Sequence, residues 1–119
     1  MGKAVRLTVS LSIAEGKLQE FESLADTMIA DTQKEKGARV YEWYFSADRK
    51  HCRIVETYLD QTAASEHVMG PVVQQLVPKL LELSTITNFE VYGDPGAQIE
   101  PMLAGIGAQI FLGWRGLDR

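Results

Sequence analysis

The chain has 119 residues, enough for one domain and too few for two ordinary ones. Hydrophobic residues make up 45% and charged residues 24%, which is globular usage and excludes a disordered or fibrous body. A net charge of -4, with basic residues scattered, excludes a nucleic-acid footprint, and no apolar run of about 18 residues exists to span a membrane.

Cys52 is the only cysteine, so neither an internal disulfide nor a cysteine-based metal site can form. A lone thiol fits a reducing compartment. The opening MGKAVR runs straight into an alternating segment with no apolar signal core, and Arg6 stands where a myristoylation signal needs Ser or Thr. A cytoplasmic location is expected.

Val5–Ile13 alternates apolar and polar residues, the period of a half-buried strand. After the Ala14-Glu15-Gly16 break, Lys17–Lys36 reads as a helix. Leu18, Phe21, Leu24, Ala25, Met28, Ile29 and Thr32 form its apolar stripe, and Lys34-Glu35-Lys36-Gly37 its end. Val40–Phe45 and Arg53–Leu59 are rich in aromatic and β-branched residues, with the turn formers Ser46–Lys50 between them, so they read as an antiparallel hairpin. The first of these strands is apolar on both faces, with Tyr41, Trp43 and Phe45 on one and Val40 and Tyr44 on the other. Such a strand is expected to be covered twice, by helices on one side and by a second subunit or a ligand on the other.

Asp60 is a good N-cap for a helix over Gln61–Met69, which Gly70-Pro71 breaks. Val72–Leu83 is a further helical piece with Pro78 inside it, where a kink or a shorter helix is expected. Thr85–Tyr92 is the last clear strand, and Gly93–Gly96 a firm turn. In the tail, Ile99–Leu103 can start a helix and Ala108–Trp114 can form a short strand or an arm, packed on its own subunit or across a dimer. Strand, helix, strand, strand, helix, strand is the ferredoxin-like βαββαβ order. The fold class is therefore α+β, with a core domain over residues 1–93 and a C-terminal extension over 94–119.

Pairing Ser46 with Cys52 in the hairpin sets Glu42 opposite Glu56, on one face. Like charges there are destabilising. Either Arg6 or Arg53 neutralises the pair, or one carboxyl keeps its proton. A register slip of one residue removes the pairing altogether.

His67, beside Glu66 on the second helix, is the best proton-transfer candidate, since imidazole titrates near neutral pH. A histidine on a helix also serves as a packing residue. His51, in the turn, is expected to face solvent. No HExxH, GxGxxG, P-loop or GxSxG pattern occurs, and His51 and His67 are not spaced as metal ligands. Tyr41, Trp43, Tyr44, Phe45, Tyr58 and Tyr92 either pack the core and an interface or line a flat apolar pocket for a planar aromatic ligand.

Tyr41-Glu42-Trp43-Tyr44, Glu56-x-Tyr58-x-Asp60 and Ala63-x-x-x-His67 resemble the antibiotic biosynthesis monooxygenase (ABM) domain family over residues 5–92. The resemblance implies a dimeric α+β barrel of two facing ferredoxin-like sheets. It also implies oxygenation of a quinol-like or polycyclic aromatic by molecular oxygen, without flavin, haem or metal. In that reading His67 is the base or relay, with Trp43 and Tyr58 as the other catalytic residues. Tyr41, Tyr44, Arg53 and Glu56 bind the substrate, Arg53 by stabilising an anion. Haem-degrading relatives carry an Asn on the first strand, a Trp early in the second helix and a later haem-ligating His. Here the first strand has no Asn, Ala64 and Ser65 fill the early helix, and no His follows His67, so haem degradation is disfavoured. The ending Gly116-Leu117-Asp118-Arg119 is similar to Gly-aromatic-x-Arg tails in part of the family, with Leu117 in place of the aromatic. The competing expectations are a non-catalytic barrel that binds an apolar small molecule, and an isomerase or cyclase working by acid–base chemistry without oxygen.

Overall fold

A computed structural model describes residues 2–119. Strand β1 (Val5–Ile13) buries Val5, Leu7, Val9 and Leu11 and turns Arg6, Thr8, Ser10 and Ser12 to the other face, as its alternation dictates. Helix α1 (Leu18–Thr32) buries Phe21, Ala25, Met28 and Thr32 along one stripe. Strands β2 (Ala38–Phe45) and β3 (His51–Tyr58) form the hairpin. Helix α2 (Gln61–Met69) starts where the Asp60 carboxylate accepts a hydrogen bond from the Ala63 amide at 2.9 Å.

The expected disturbance near Pro78 takes the form of a π-helical turn over Val72–Leu76. Helix α3 (Val77–Leu83) then begins with Pro78 in its first turn, where a missing amide hydrogen leaves no bond unmade. Strand β4 (Ser84–Tyr92), helix α4 (Glu100–Gly105) and strand β5 (Gln109–Phe111) complete the chain.

The sheet order is β2-β3-β1-β4-β5. The first three neighbouring pairs are antiparallel, giving the ferredoxin-like core, and β5 joins β4 in parallel because α4 carries the chain back across. The fold is α+β with a mixed five-stranded sheet. The core lies between the sheet and the helices, around Leu11, Phe21, Met28, Tyr58 and Val91. Ile99 and Leu103 of the C-terminal segment belong to it. No helix among the described residues is long and apolar enough to cross a membrane.

The second face of β2 is open in the single chain, with Tyr44 51% exposed, so its expected cover has to come from a second subunit or a ligand. The hairpin register needs correction, because it is one residue from the expected one. Tyr41 lies opposite Glu56, Glu42 opposite Val55, Trp43 opposite Ile54 and Tyr44 opposite Arg53. Glu42 and Glu56 therefore point to opposite faces and never meet. The cause is a tighter turn. The Ser46 amide bonds the His51 carbonyl at 2.9 Å, while Asp48 accepts from the Ser46 hydroxyl at 2.8 Å and the Lys50 amide at 3.0 Å. Arg49 takes the left-handed conformation, φ 59°, that closes this turn. Neither arginine considered for the Glu pair is near such a pair: Arg6 bridges to Asp118 and Arg53 donates to the Cys52 carbonyl.

Candidate active site

Alternation along β3 sends Cys52, Ile54, Glu56 and Tyr58 inward beneath the helices. Tyr41 on β2, opposite Glu56, points the same way. From above, the last turn of α2 lowers His67 onto this row, buried to 3% exposure. The imidazole stacks on the Tyr58 ring, with centroids 4.8 Å apart, and meets Tyr41 edge-on at 5.6 Å.

The ring nitrogens face two carboxylates. Nδ1 lies 2.9 Å from Glu35 Oε1 and 3.2 Å from Oε2. Nε2 lies 3.6 Å from Glu56 Oε1, beyond a hydrogen bond. The Tyr58 hydroxyl donates to that Glu56 oxygen at 2.5 Å. Glu35 occupies the turn between α1 and β2, where its amide bonds the Thr32 carbonyl at 2.9 Å. The turn lies against α2 because Gly37 has no side chain: a Cβ there would collide with that of Ala63.

Glu35 is acceptor-only when ionised, so the hydrogen-bond pattern assigns the proton of a neutral His67 to Nδ1 and leaves the Nε2 lone pair facing Glu56. The carboxylates address opposite nitrogens, so the three side chains cannot close on one ion. Among the described residues no group of His, Cys, Asp and Glu forms a metal site.

Burial pushes the Glu56 carboxyl above its usual range; His67 and the Tyr58 hydrogen bond oppose this, and Glu35 adds to it. Burial, and next the charge of Glu56, push the Tyr41 and Tyr58 phenols far above theirs, so both keep their protons at neutral pH and serve as hydrogen-bond donors. The set is a buried base between a fixed carboxylate and a carboxyl whose protonated form is favoured, with two phenols beside it.

These groups form one end of a cavity of about 70 Å³ between sheet and helices. Tyr41, Glu56 and His67 are its polar lining; the rest is mainly aliphatic, contributed by β1, α1, β3, α2, the π-helical turn, α3, β4 and the α4 segment.

The sequence pattern of the antibiotic biosynthesis monooxygenase family matches residues 4–79, well over half of the chain. The chain belongs to that family. Among curated proteins no sequence matches. MupZ from Pseudomonas fluorescens has a similar structure, with TM-score 0.85 and 22% identity over 99% of this chain and 96% of that one. Rv0793 from Mycobacterium tuberculosis follows at 0.65 and 24%, over 80% and 98% of the two chains. A candidate antibiotic biosynthesis monooxygenase from Nitrosomonas europaea gives 0.70 and 17%, over 79% and 92%. At these identities the likenesses show a shared fold.

The ABM resemblance nominates seven site residues. His67, Glu56 and Tyr41 line the cavity, and Tyr58 touches both Glu56 and His67. Trp43 points inward but does not line the cavity. Its ring packs on Phe21 at 5.8 Å and on Tyr41 at 6.1 Å. Tyr44 and Arg53 are not brought to this group, because strand alternation puts them, facing each other, on the outer side of the sheet. There Tyr44 donates to Glu42 at 3.0 Å. The flat aromatic pocket also needs correction: Phe45 and Tyr92 are exposed, and of the aromatic set only Tyr41 lines the cavity.

Glu35 escaped sequence reasoning. It lies 32 positions from His67 and looks, between Lys34 and Lys36, like a solvated helix end. The only available signal was Gly37, which marks a close approach without naming what approaches. The Thr32 hydroxyl and the Trp43 indole N–H have no hydrogen-bond partner among the described residues. Both stand close enough to the Tyr41 hydroxyl to ease its ionisation against burial, without the geometry of a bond.

Proposed function

We propose that this protein is a cofactor-independent monooxygenase that oxidises a quinol-like aromatic with molecular oxygen, using His67 as the base. The observation that carries this reading is the His67 imidazole on the wall of an apolar cavity, held at Nδ1 by Glu35 with its Nε2 lone pair toward Glu56. His67 takes the phenolic proton, and the resulting anion is electron-rich enough to reduce oxygen itself. One oxygen atom enters the ring, the other leaves as water, and the substrate is its own reductant. Glu56, held by the Tyr58 hydroxyl, returns the proton, Tyr41 lies against the substrate, and the dry cavity shields the anion. At about 70 Å³ the cavity is near half the ~150 Å³ that holds benzene elsewhere, which argues against a polycycle and requires the walls to give way even for a single ring.

In the same reading the chain works as a homodimer whose outer sheet faces meet, covering Tyr44 and neighbouring Arg53. Residues 1–93 are the catalytic unit. The extension over 94–119 packs on it through Ile99 and Leu103 and reaches toward the partner through Leu112, Trp114 and Leu117, which are 70%, 80% and 75% exposed.

Oxygen uptake by protein stripped of metal and flavin, against quinols, naphthols and anthrones, tests the reaction. Uptake above the uncatalysed rate is expected, and His67→Ala should lower turnover by roughly a hundredfold or more. Thermal shifts with these ligands but no uptake would instead assign a binding protein. A second reading, proton transfer without oxygen in an isomerase or cyclase, is favoured by one observation: a carboxyl that tends to keep its proton sits beside a base. Product formation under argon would select it.

A further inference from the structure

We propose that Leu81 on α3 and Ile106, just after α4, form the mouth of the cavity and select substrates carrying a slender apolar arm. Every other residue lining the cavity is buried or half-buried; Leu81 and Ile106 are 40% and 36% exposed. Each therefore presents one side to the cavity and the other to water, which locates the opening between α3 and α4. The polar lining is Tyr41, Glu56 and His67 alone. With only about 70 Å³ inside, a ring whose ionisable group sits there fills the cavity, and any arm it carries must pass between these two residues.

Chemistry and size both favour a narrow arm. Apart from Tyr41 and His67, Phe89 is the one ring in the lining, so little is offered for stacking a second aromatic ring. An alkyl chain gains contact with each methylene and demands little width. Ile106 is held firmly for this role. It follows α4 in a cap where its amide bonds the Leu103 carbonyl at 3.1 Å and the Ala108 amide returns to the same carbonyl at 3.0 Å. Gly107, at φ 97°, takes the left-handed turn that lets the chain leave toward β5. The opposite lip is shaped by the π-helical turn, whose wider backbone brings Val73 into the lining ahead of Val77. Leu81 and Ile106 lie outside residues 4–79, so this selectivity belongs to the part of the chain that the family pattern does not cover.

The inference rests on the proposed reading only for the location of the polar end. Binding of phenol, 4-methylphenol, 4-propylphenol and 4-pentylphenol, measured by calorimetry on the full chain, tests it without reference to oxygen. Affinity should rise with arm length, by up to about three- to fourfold for each methylene that becomes buried. Ile106→Trp or Leu81→Trp should abolish that rise while leaving phenol itself unchanged. Ile106→Ala, at a half-open position where a smaller side chain does not threaten folding, should admit 4-tert-butylphenol in preference to the straight arm. Affinity independent of arm length, or an arm preference that survives all three substitutions, overturns the proposal. If the arm preference holds but oxygen uptake is absent, the mouth stands and the monooxygenase reading fails; uptake without arm preference has the reverse meaning.

Discussion

Glu56 sets the pH behaviour of the site. Burial raises its folded-state pKa above the unfolded value, so the folded state holds the proton more tightly. Below the unfolded pKa both states are protonated and the burial is not penalised. As pH rises from there to the folded pKa, the unfolded chain ionises first and stability falls, and above the folded pKa the loss is complete. Glu56→Gln, which still accepts from Tyr58, should flatten this decline and raise the melting temperature at pH 8 relative to pH 5, as thermal denaturation across pH would read. Thr32 presents a neutral version of the same problem. Its hydroxyl is buried without a partner. Thr32→Val keeps the shape and removes the desolvated group, so a gain of about 1 kcal/mol in unfolding free energy is expected in denaturant titration. A loss would mean that the hydroxyl holds a water or ligand atom beside Tyr41.

The elements meet at the site through a few local devices. Asp60 starts α2, and that start places His67 in the helix's last turn. Gly37 then lets the turn carrying Glu35 press on α2 at Ala63. Gly37→Ala forces the two apart, and overpacking of this kind costs about 1–3 kcal/mol. The variant should melt earlier and also lose the Glu35–His67 contact, seen as a shifted His67 imidazole resonance in NMR. A lower melting temperature with that resonance unmoved would show that Glu35 is held independently of Gly37.

The molecule as a whole is two-faced. Helices seal one side of the sheet, and the other carries Tyr44, Tyr92 and Phe111, the last two stacked at 5.7 Å. A sheet with a half-apolar open face gains by covering it, which is why a homodimer is expected in light scattering. Tyr44→Glu, next to Glu42, should add like charge to that face and shift the protein to monomers. A dimer mass that survives the change would move the interface away from the β2 edge.

Much of this architecture is readable in the order of residues, because its signals are local. Val5–Ile13 alternates with period two, the Phe21–Thr32 stripe follows helical spacing, and Asp60 marks a helix start within its own turn. The ferredoxin-like order comes from such short-range patterns, while the candidacy of His67 comes from imidazole chemistry and that of Glu56 from the family resemblance. What the residues do to each other across distance belongs to the folded chain. A turn tighter by one residue separated Glu42 from Glu56 and paired Glu56 with Tyr41 instead. The same parity sent Tyr44 and Arg53 to the outer face. Glu35, whose neighbour Gly37 marks a close approach without naming what approaches, became the partner of His67 only when two elements packed. Periodicity records which way a side chain points relative to its neighbours in sequence; register and packing alone decide what it meets.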